Sequence, residues 1–417
     1  MKPPINTARL LDRFLRYVRV ETTANPEATS YPSSIGQLEL GRMLLEELRA
    51  IGIEDARQDE HGLVWGTIPA SVTGPVPTIL LNAHLDTSPD ASGAGVNPQV
   101  IEEYAGGDIQ LARDSQIIRA AETPALQDLQ GHCLVTTDGS TLLGGDDKAG
   151  VAAIMELAGH LIEHPYLPHG PVRILFTCDE EIGRGTQHVD LRTVDAVAGY
   201  TLDGSGASVV EGENFSADLL TVHAIGKVIH PSIAKGRMVN ALRGLSMLLA
   251  ELPRDRLSPE STDGRDGFIH PYSLRGDVAN AEAKMLLRDF DSAKLDTYAE
   301  LVQNKSAEIA DRFPGLRFDI QRTRQYRNMA DYLGQCPLVL ELAQLAHDRL
   351  GRTAKLDIIR GGTDGAMLSE KGLVTPNLSV GQHNIHSVLE FTSLNEMAAA
   401  VEHLVELLDL WQAHGRV

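Results

Sequence analysis

Basic residues are in short supply: 37 Lys and Arg stand against 57 Asp and Glu, a formal net charge of −20 at pH 7. A chain so acidic repels phosphate backbones and anionic bilayers, so neither nucleic acid nor a membrane surface is an expected partner. The same charge suits solubility and cationic partners such as metal ions. Cysteine is nearly absent, with Cys133, Cys178 and Cys336 scattered along 417 residues. That spacing makes no disulfide framework and no thiolate zinc site, and a reducing cytoplasm is the expected location. No apolar run reaches the roughly 18–20 residues that span a bilayer. The opening "MKPPINTARLLDRFLRY" has amphipathic-helix spacing and lacks the apolar stretch and cleavage site of a secretory leader. The G-x-x-x-x-G-K-[ST] phosphate loop is also missing, and the acids of "LLGGDDKAG" would repel a phosphate.

What is present is the composition of a soluble globular protein, 42% hydrophobic and 23% charged, on a chain too long for one ordinary core. The segment "IGQLELGRMLLEELRAIG" (35–52) carries apolar residues at helical spacing and stops at a glycine. Short β-rich runs follow at 63–68 and 77–86, then an irregular stretch over 87–131, long enough to suggest a functional loop. A helix around 148–163 and strands at 172–178 and 196–202 continue an α/β pattern. From about 213 the rhythm becomes strand, helix, strand, strand, helix, strand, a split-βαβ module of two layers. Alternation resumes with helices at 337–350, 364–370 and 393–413 and strands at 355–359 and 374–380. The expected architecture is an α/β domain with a mixed, largely parallel sheet flanked by helices. A two-layer α+β βαββαβ domain is inserted into it. The expected limits are 1–212 and 328–417 for the first domain and 213–327 for the insertion.

Several strands end in residues that a core strand does not need. "RILFTCDEEIGRG" closes an apolar run with Asp179, Glu180 and Glu181, three like charges side by side. "NAHLDTS" places His84 and Asp86 two apart, on the same face of a strand. "LLGGDDKAG" puts Asp146 and Asp147 behind two glycines at a helix start, where a helix cap is the simpler reading. "YTLDG" ends in Asp203, and "GQHNIHSVLEFT" offers His383 and His386 in a polar loop. Each alone has a plain structural explanation. Together they supply imidazoles and carboxylates at the carboxyl ends of core strands, where open α/β sheets build their sites. A thiolate-free set of this kind suits zinc, manganese or cobalt, and a shared carboxylate would make a two-metal centre.

The chain resembles the peptidase T family of tripeptide aminopeptidases. That family sits within the co-catalytic, dinuclear zinc peptidases that also include glutamate carboxypeptidase, aminoacylase and succinyl-diaminopimelate desuccinylase. The matching stretches, in order, are "HLDTSPDASGAGVNPQV", "TTDGSTLLGGDDKAG", "FTCDEEIGRG", "YTLDG", "HPSIAKGRMVNAL", "LLRDFD", "IIRGGTDGAMLSEKGL" and "NIHSVLEFTSL". The resemblance implies a zinc-exopeptidase-like fold and two divalent ions, zinc before manganese or cobalt. Their ligands would be His84, Asp146, Glu181, Asp203 and His386, with Asp146 shared. It implies that Asp86 orients His84 and that Glu180 is the general base acting on the attacking water. The insertion would be a lid and the contact surface of a homodimer. His230, Asn240, Arg288 and Arg360 would meet the substrate's polar groups. Asp179 receives no role. The implied activity is release of the N-terminal residue from tripeptides. The alternatives are a dipeptidase, carboxypeptidase or N-deacylase on the same scaffold, or a non-catalytic metal- or peptide-binding protein.

Overall fold

The computed structural model describes residues 2–113 and 115–414, so the outermost expected limits, 1 and 417, lie outside the described residues. The chain forms two compact units. The larger takes the chain up to Gly212, then Tyr332–Ile358, then Thr363 onward; the smaller takes Glu213–Asp331 and Ile359–Gly362. The short return Ile359–Gly362, which the sequence placed with the larger unit, joins the smaller one through specific bonds. The Phe215 N–H donates to the Ile359 carbonyl at 3.0 Å, and Arg360 donates to the Gly264 carbonyl at 2.9 Å.

The sheet of the larger unit runs, in spatial order, Arg57–Gln58, Val64–Ile68, Val172–Thr177, Ile79–His84, Ala198–Ser205, Asn377–His383, Phe391–Ser393, Leu134–Thr136 and Gln99–Ile101. The strands Val209–Asn214 and Lys355–Ile359 join at its side. The four strands from Val172–Thr177 to Asn377–His383 pair in parallel. Both flanks are antiparallel. The expected mixed α/β sheet is therefore present, with its parallel pairing confined to the centre. Ile79–His84 is buried at every residue, which is why it reads as a continuous apolar run rather than an alternating one. All four parallel strands point their carboxyl ends the same way, toward the loops that carry His84, Asp86, Glu180, Glu181, Asp203 and His386.

The helix Gly145–Glu163 is buried from Gly145 to Leu161, as its apolar run "AGVAAIMELAGHLI" requires. At Gly150 a β-carbon would lie 2.1 Å from the Leu202 carbonyl, so only glycine lets this helix approach the Asp203 strand. The amphipathic N-terminal helix is Thr7–Tyr17. Its Arg9 and Arg13 both donate to the fully buried Glu156 carboxylate, which satisfies a charge that could not otherwise stay inside. The stretch 87–131 is less irregular than expected. It holds the small strands Gln99–Ile101, Ile109–Gln110 and Ile117–Ile118. Tyr104, Ile109, Leu111, Ile118, Leu126 and Leu129 make a small core there with Leu134 and Phe391. Among the described residues no helix is long and apolar enough to cross a membrane.

Between the helices Leu338–Arg349 and Leu394–His414, the rings of His347 and His403 stack 3.6 Å apart at 10°. Burial, then the neighbouring His347, pushes His403 down to about 3; burial, then Arg352, pushes His347 down to about 4. In the unfolded chain both titrate near 6.5. Between those values the unfolded chain binds more protons, so stability is full above about pH 6.5 and is lost as the pH falls toward 3–4. His403→Phe, which keeps the stack, should narrow the loss of unfolding free energy between about pH 7.5 and pH 5 by on the order of 1–2 kcal/mol. Urea titrations at the two pH values measure it, and an unchanged difference would mean that the imidazole is not held neutral.

The smaller unit is a four-stranded antiparallel sheet in the order Phe268–Gly276, Asn280–Asp289, Ser216–Ile225, Arg317–Tyr326. Alternate residues Leu220, Val222, Ala224, Ala281, Ala283, Met285 and Leu287 are buried in one core. That core also takes Leu245 and Leu248 from the helix Ala241–Glu251 and Leu295 and Val302 from Lys294–Arg312.

Candidate active site

Asp146 lies between two imidazoles. Its Oδ1 is 3.0 Å from His84 Nε2 and its Oδ2 is 3.2 Å from His386 Nε2. Each imidazole meets a further carboxylate: Asp203 Oδ1 lies 3.8 Å from His84 Nε2, and Glu181 Oε2 lies 3.1 Å from His386 Nε2. The five sequence-predicted ligands are thus brought together around Asp146, and ligand atoms of His84, Glu181 and Asp146 lie within 4.8 Å of one another. Asp147, its neighbour, also comes near His84 and Asp203. However, its oxygens already accept from the His84 N–H at 3.1 Å, the Gly150 N–H at 3.1 Å and Gln382 at 2.9 Å. Asp147 is engaged by these three donors, whereas the Asp146 carboxylate meets the two imidazoles.

The far nitrogen of each imidazole is fixed. His84 Nδ1 is 3.1 Å from the Asp86 carbonyl, which can only accept, so Nδ1 carries the proton and Nε2 faces the site. His386 Nδ1 is 3.1 Å from Asp90 Oδ2. The Asp86 carboxylate does more than make the imidazole contact expected of it. It lies 3.4 Å from His84 Nδ1, and its two oxygens accept the backbone N–H groups of Glu180 and Glu181, each at 3.0 Å. Asp86 therefore orients the acid pair as much as the histidine.

The electrostatics call for cations. Burial, then the charge of Asp146, pushes Glu181 up to about 8 and Asp203 up to about 7. Burial also holds Glu180 well above the usual carboxylate range. Against burial, the carboxylates around His386 raise it to about 11 and those around His84 raise it well above the usual imidazole value. In each case a proton compensates charge that the protein leaves unbalanced. Glu181 Oε1 is buried with no hydrogen-bond partner. Two imidazoles, three carboxylates and an orphaned oxygen fit divalent cations with nitrogen and oxygen ligands. Glu180 is outside this set, and its side chain makes no hydrogen bond among the described residues.

Several supporting residues were not legible as such. Glu390 accepts the backbone N–H groups of Leu143, Gly144 and Asp146 at 2.8, 2.9 and 3.0 Å, and so fixes the loop that presents Asp146. Asn377 brackets Asp203, accepting its N–H and donating to its carbonyl, both at 3.0 Å. Asp179 is fully buried and accepts from Ser33 and Gln37. Alternating buried strands offer no sign of such polar partners; "VLEFT", with an acid inside an apolar run, was the one available hint.

The four residues expected to meet the substrate lie in the smaller unit. His230 is exposed, with Nδ1 2.7 Å from Ser232 Oγ. Asn240 caps the helix Ala241–Glu251 by accepting the Arg243 N–H at 3.0 Å. Arg288 donates to the Arg360 carbonyl at 3.2 Å, and its Nε is buried without a partner. Arg360 donates to Gly264 and Thr262 and stacks on Phe215 and Phe268, so its fork is already engaged within the unit.

Residues 135–410 match Peptidase family M20/M25/M40. The chain belongs to this peptidase family. The match begins beyond His84 and Asp86, but full-length similarity covers both. The peptidase is 42% identical over 404 residues to Peptidase T of Geobacillus thermodenitrificans, spanning 97% of this chain and 98% of that one. Its fold is that of the aminopeptidase PepT from Bacillus cereus, with a TM-score of 0.75 at 23% identity over 98% of this chain and 99% of the other. A tripeptidase from Staphylococcus aureus is similar in fold, with a TM-score of 0.77 at 22% identity over 99% and 100% of the two chains. The peptidase is a hydrolase of the metallopeptidase kind.

Proposed function

We propose that this metallopeptidase is a cytoplasmic aminopeptidase that removes the N-terminal residue from tripeptides at a two-metal site. The observation that carries the site assignment is the Asp146 carboxylate set between His84 and His386, each beside a carboxylate of its own. The substrate assignment rests on the relatives named Peptidase T, whose similarity runs through nearly the whole chain. His84, Asp203 and Asp146 would hold one divalent ion, and His386, Glu181 and Asp146 the other, with zinc the proposed metal. Bound there, the ions supply Lewis-acid polarisation and lower the pKa of water. Glu180 takes a proton from the attacking water at its carboxylate and passes it to the departing amine. Asp86 holds the backbone of Glu180 and Glu181 so that the base and the ligand face their separate targets. His84 and His386 keep Nε2 directed into the site because their Nδ1 atoms are held.

The smaller unit is proposed to be the lid and the contact surface of a homodimer. His230 is assigned to the oxyanion, and Asn240, Arg288 and Arg360 to the substrate's polar ends. Within that set Arg288, with an unpartnered Nε, is the better placed to receive a carboxylate, because a guanidinium pairs with one through two parallel N–H groups. A panel of one tripeptide in its free, N-acetylated and C-terminally amidated forms tests the assignment. The free form should turn over best, and the acetylated form at least about 100-fold more slowly. Hydrolysis of only the acetylated form would make the enzyme a deacylase or carboxypeptidase instead.

A further inference from the structure

The acid triplet is gripped from a part of the chain far from any ligand strand. Asp179 has a left-handed backbone, φ 62°, which a residue other than glycine adopts only when its surroundings hold it there. The holding group is the segment before and within the helix Ile35–Ile51. The Gln37 amide embraces Asp179: Oε1 accepts the Asp179 N–H at 2.9 Å, and Nε2 donates to Asp179 Oδ1 at 2.7 Å. The Ser33 N–H donates to both carboxylate oxygens, at 3.0 and 2.8 Å, and the Ser33 hydroxyl donates to Oδ1 at 2.5 Å. Asp179 and Gln37 are fully buried, and Ser33 nearly so. Tyr31 adds a bond from its hydroxyl to the Cys178 carbonyl at 3.0 Å. With the Asp86 bonds to Glu180 and Glu181, three successive backbone N–H groups each end on a buried side chain.

We infer that Gln37 and Ser33, acting through Asp179, are positioning residues for the base Glu180. The inference rests on the proposed role of Glu180. Glu180 makes no side-chain bond among the described residues, so its reach is set by its backbone, and its backbone leaves the strand Val172–Thr177 through the held turn at Asp179. Asp86 fixes two N–H groups but does not determine the angle at which the chain enters them. The Gln37 and Ser33 bonds do. The grip explains why an acid occupies a left-handed position where glycine would be strain-free: glycine offers no carboxylate to Ser33 and Gln37.

Gln37→Leu in the otherwise unaltered enzyme, assayed with saturating metal, should lower kcat on a free tripeptide by about 10- to 100-fold, the cost of a displacement near 1 Å, with KM unchanged. In a Glu180→Gln background the same substitution should have less than about a twofold effect, because a group that acts through Glu180 has nothing left to position. Amide hydrogen exchange in the metal-free protein supplies a readout without turnover, and peptides covering 178–185 should lose protection in Gln37→Leu while the rest of the sheet keeps it. Ser33→Ala, a smaller change that keeps the backbone N–H, should shift both readouts in the same direction and by less. An equal fall in kcat in both backgrounds, or exchange unchanged at 178–185, overturns the clamp alone. Near-wild-type kcat in Glu180→Gln itself overturns the role of the base, and with it this inference.

Discussion

Glu180→Gln is expected to keep the fold and the metal content while kcat falls by about 10²- to 10⁴-fold, the usual contribution of a positioned general base. The amide matches the carboxylate in shape but cannot take a proton. The substitution should be benign to the structure for a specific reason. The Glu180 side chain bonds to no described residue, and its ionised form is disfavoured by burial, so removing the charge leaves no partner stranded. Thermal unfolding should therefore stay at or slightly above the wild-type temperature. Steady-state kinetics beside metal analysis by mass spectrometry make the measurement. A variant that retained near-wild-type kcat would require a different base, and one that lost its metals would place Glu180 among the ligands.

Glu390→Ala is expected to do the opposite and damage the structure before the chemistry. The carboxylate is the acceptor for three backbone N–H groups of the loop that ends in Asp146. Alanine leaves all three buried without an acceptor, at a cost on the order of 3–6 kcal/mol. That is a large share of the roughly 5–15 kcal/mol of net stability of a folded protein. A loosened loop also releases Asp146, the proposed shared ligand, so metal retention should fall with stability. Urea unfolding and metal stoichiometry read the two effects. Wild-type stability together with full metal content would show that other groups shape the loop.

These two residues mark where the sequence is readable and where it is not. Glu180 stood out in the sequence because a run of acids is unusual at the end of an apolar strand, and the stretches around it match a family in order. His84, Asp203 and His386 stood out likewise, each near the end of a core strand, and the structure brings them together around Asp146. The order of helices and strands followed from periodicity and from glycine at Gly52, where φ is 107°. Glu390 was not legible: its partners lie more than 240 residues away and are backbone groups that leave no trace in composition. Asp179 was missed likewise, since Ser33 and Gln37 are more than 140 residues distant. Its acid is out of place in the sequence, and only the fold shows what receives it. The resemblance already favoured Asp146 over Asp147, and the hydrogen bonds that occupy Asp147 supply a physical reason for it. The small core in 87–131 was hidden because its strands are two or three residues long, too short for any period to register.

The parallel centre of the large sheet has a temporal side. The Asp203 strand has one parallel neighbour earlier in the chain, Ile79–His84, and another much later, Asn377–His383. The smaller unit, by contrast, closes its whole sheet within Ser216–Tyr326. As the chain emerges from the ribosome, all four strands of the smaller sheet are available while the larger sheet still lacks a central strand. His386 and Glu390 follow that strand, so the last of the proposed ligands and the acceptor that shapes the Asp146 loop are delivered together. The carboxylates of Asp146, Glu181 and Asp203 are thus all synthesised before the strand and the imidazole that complete their surroundings.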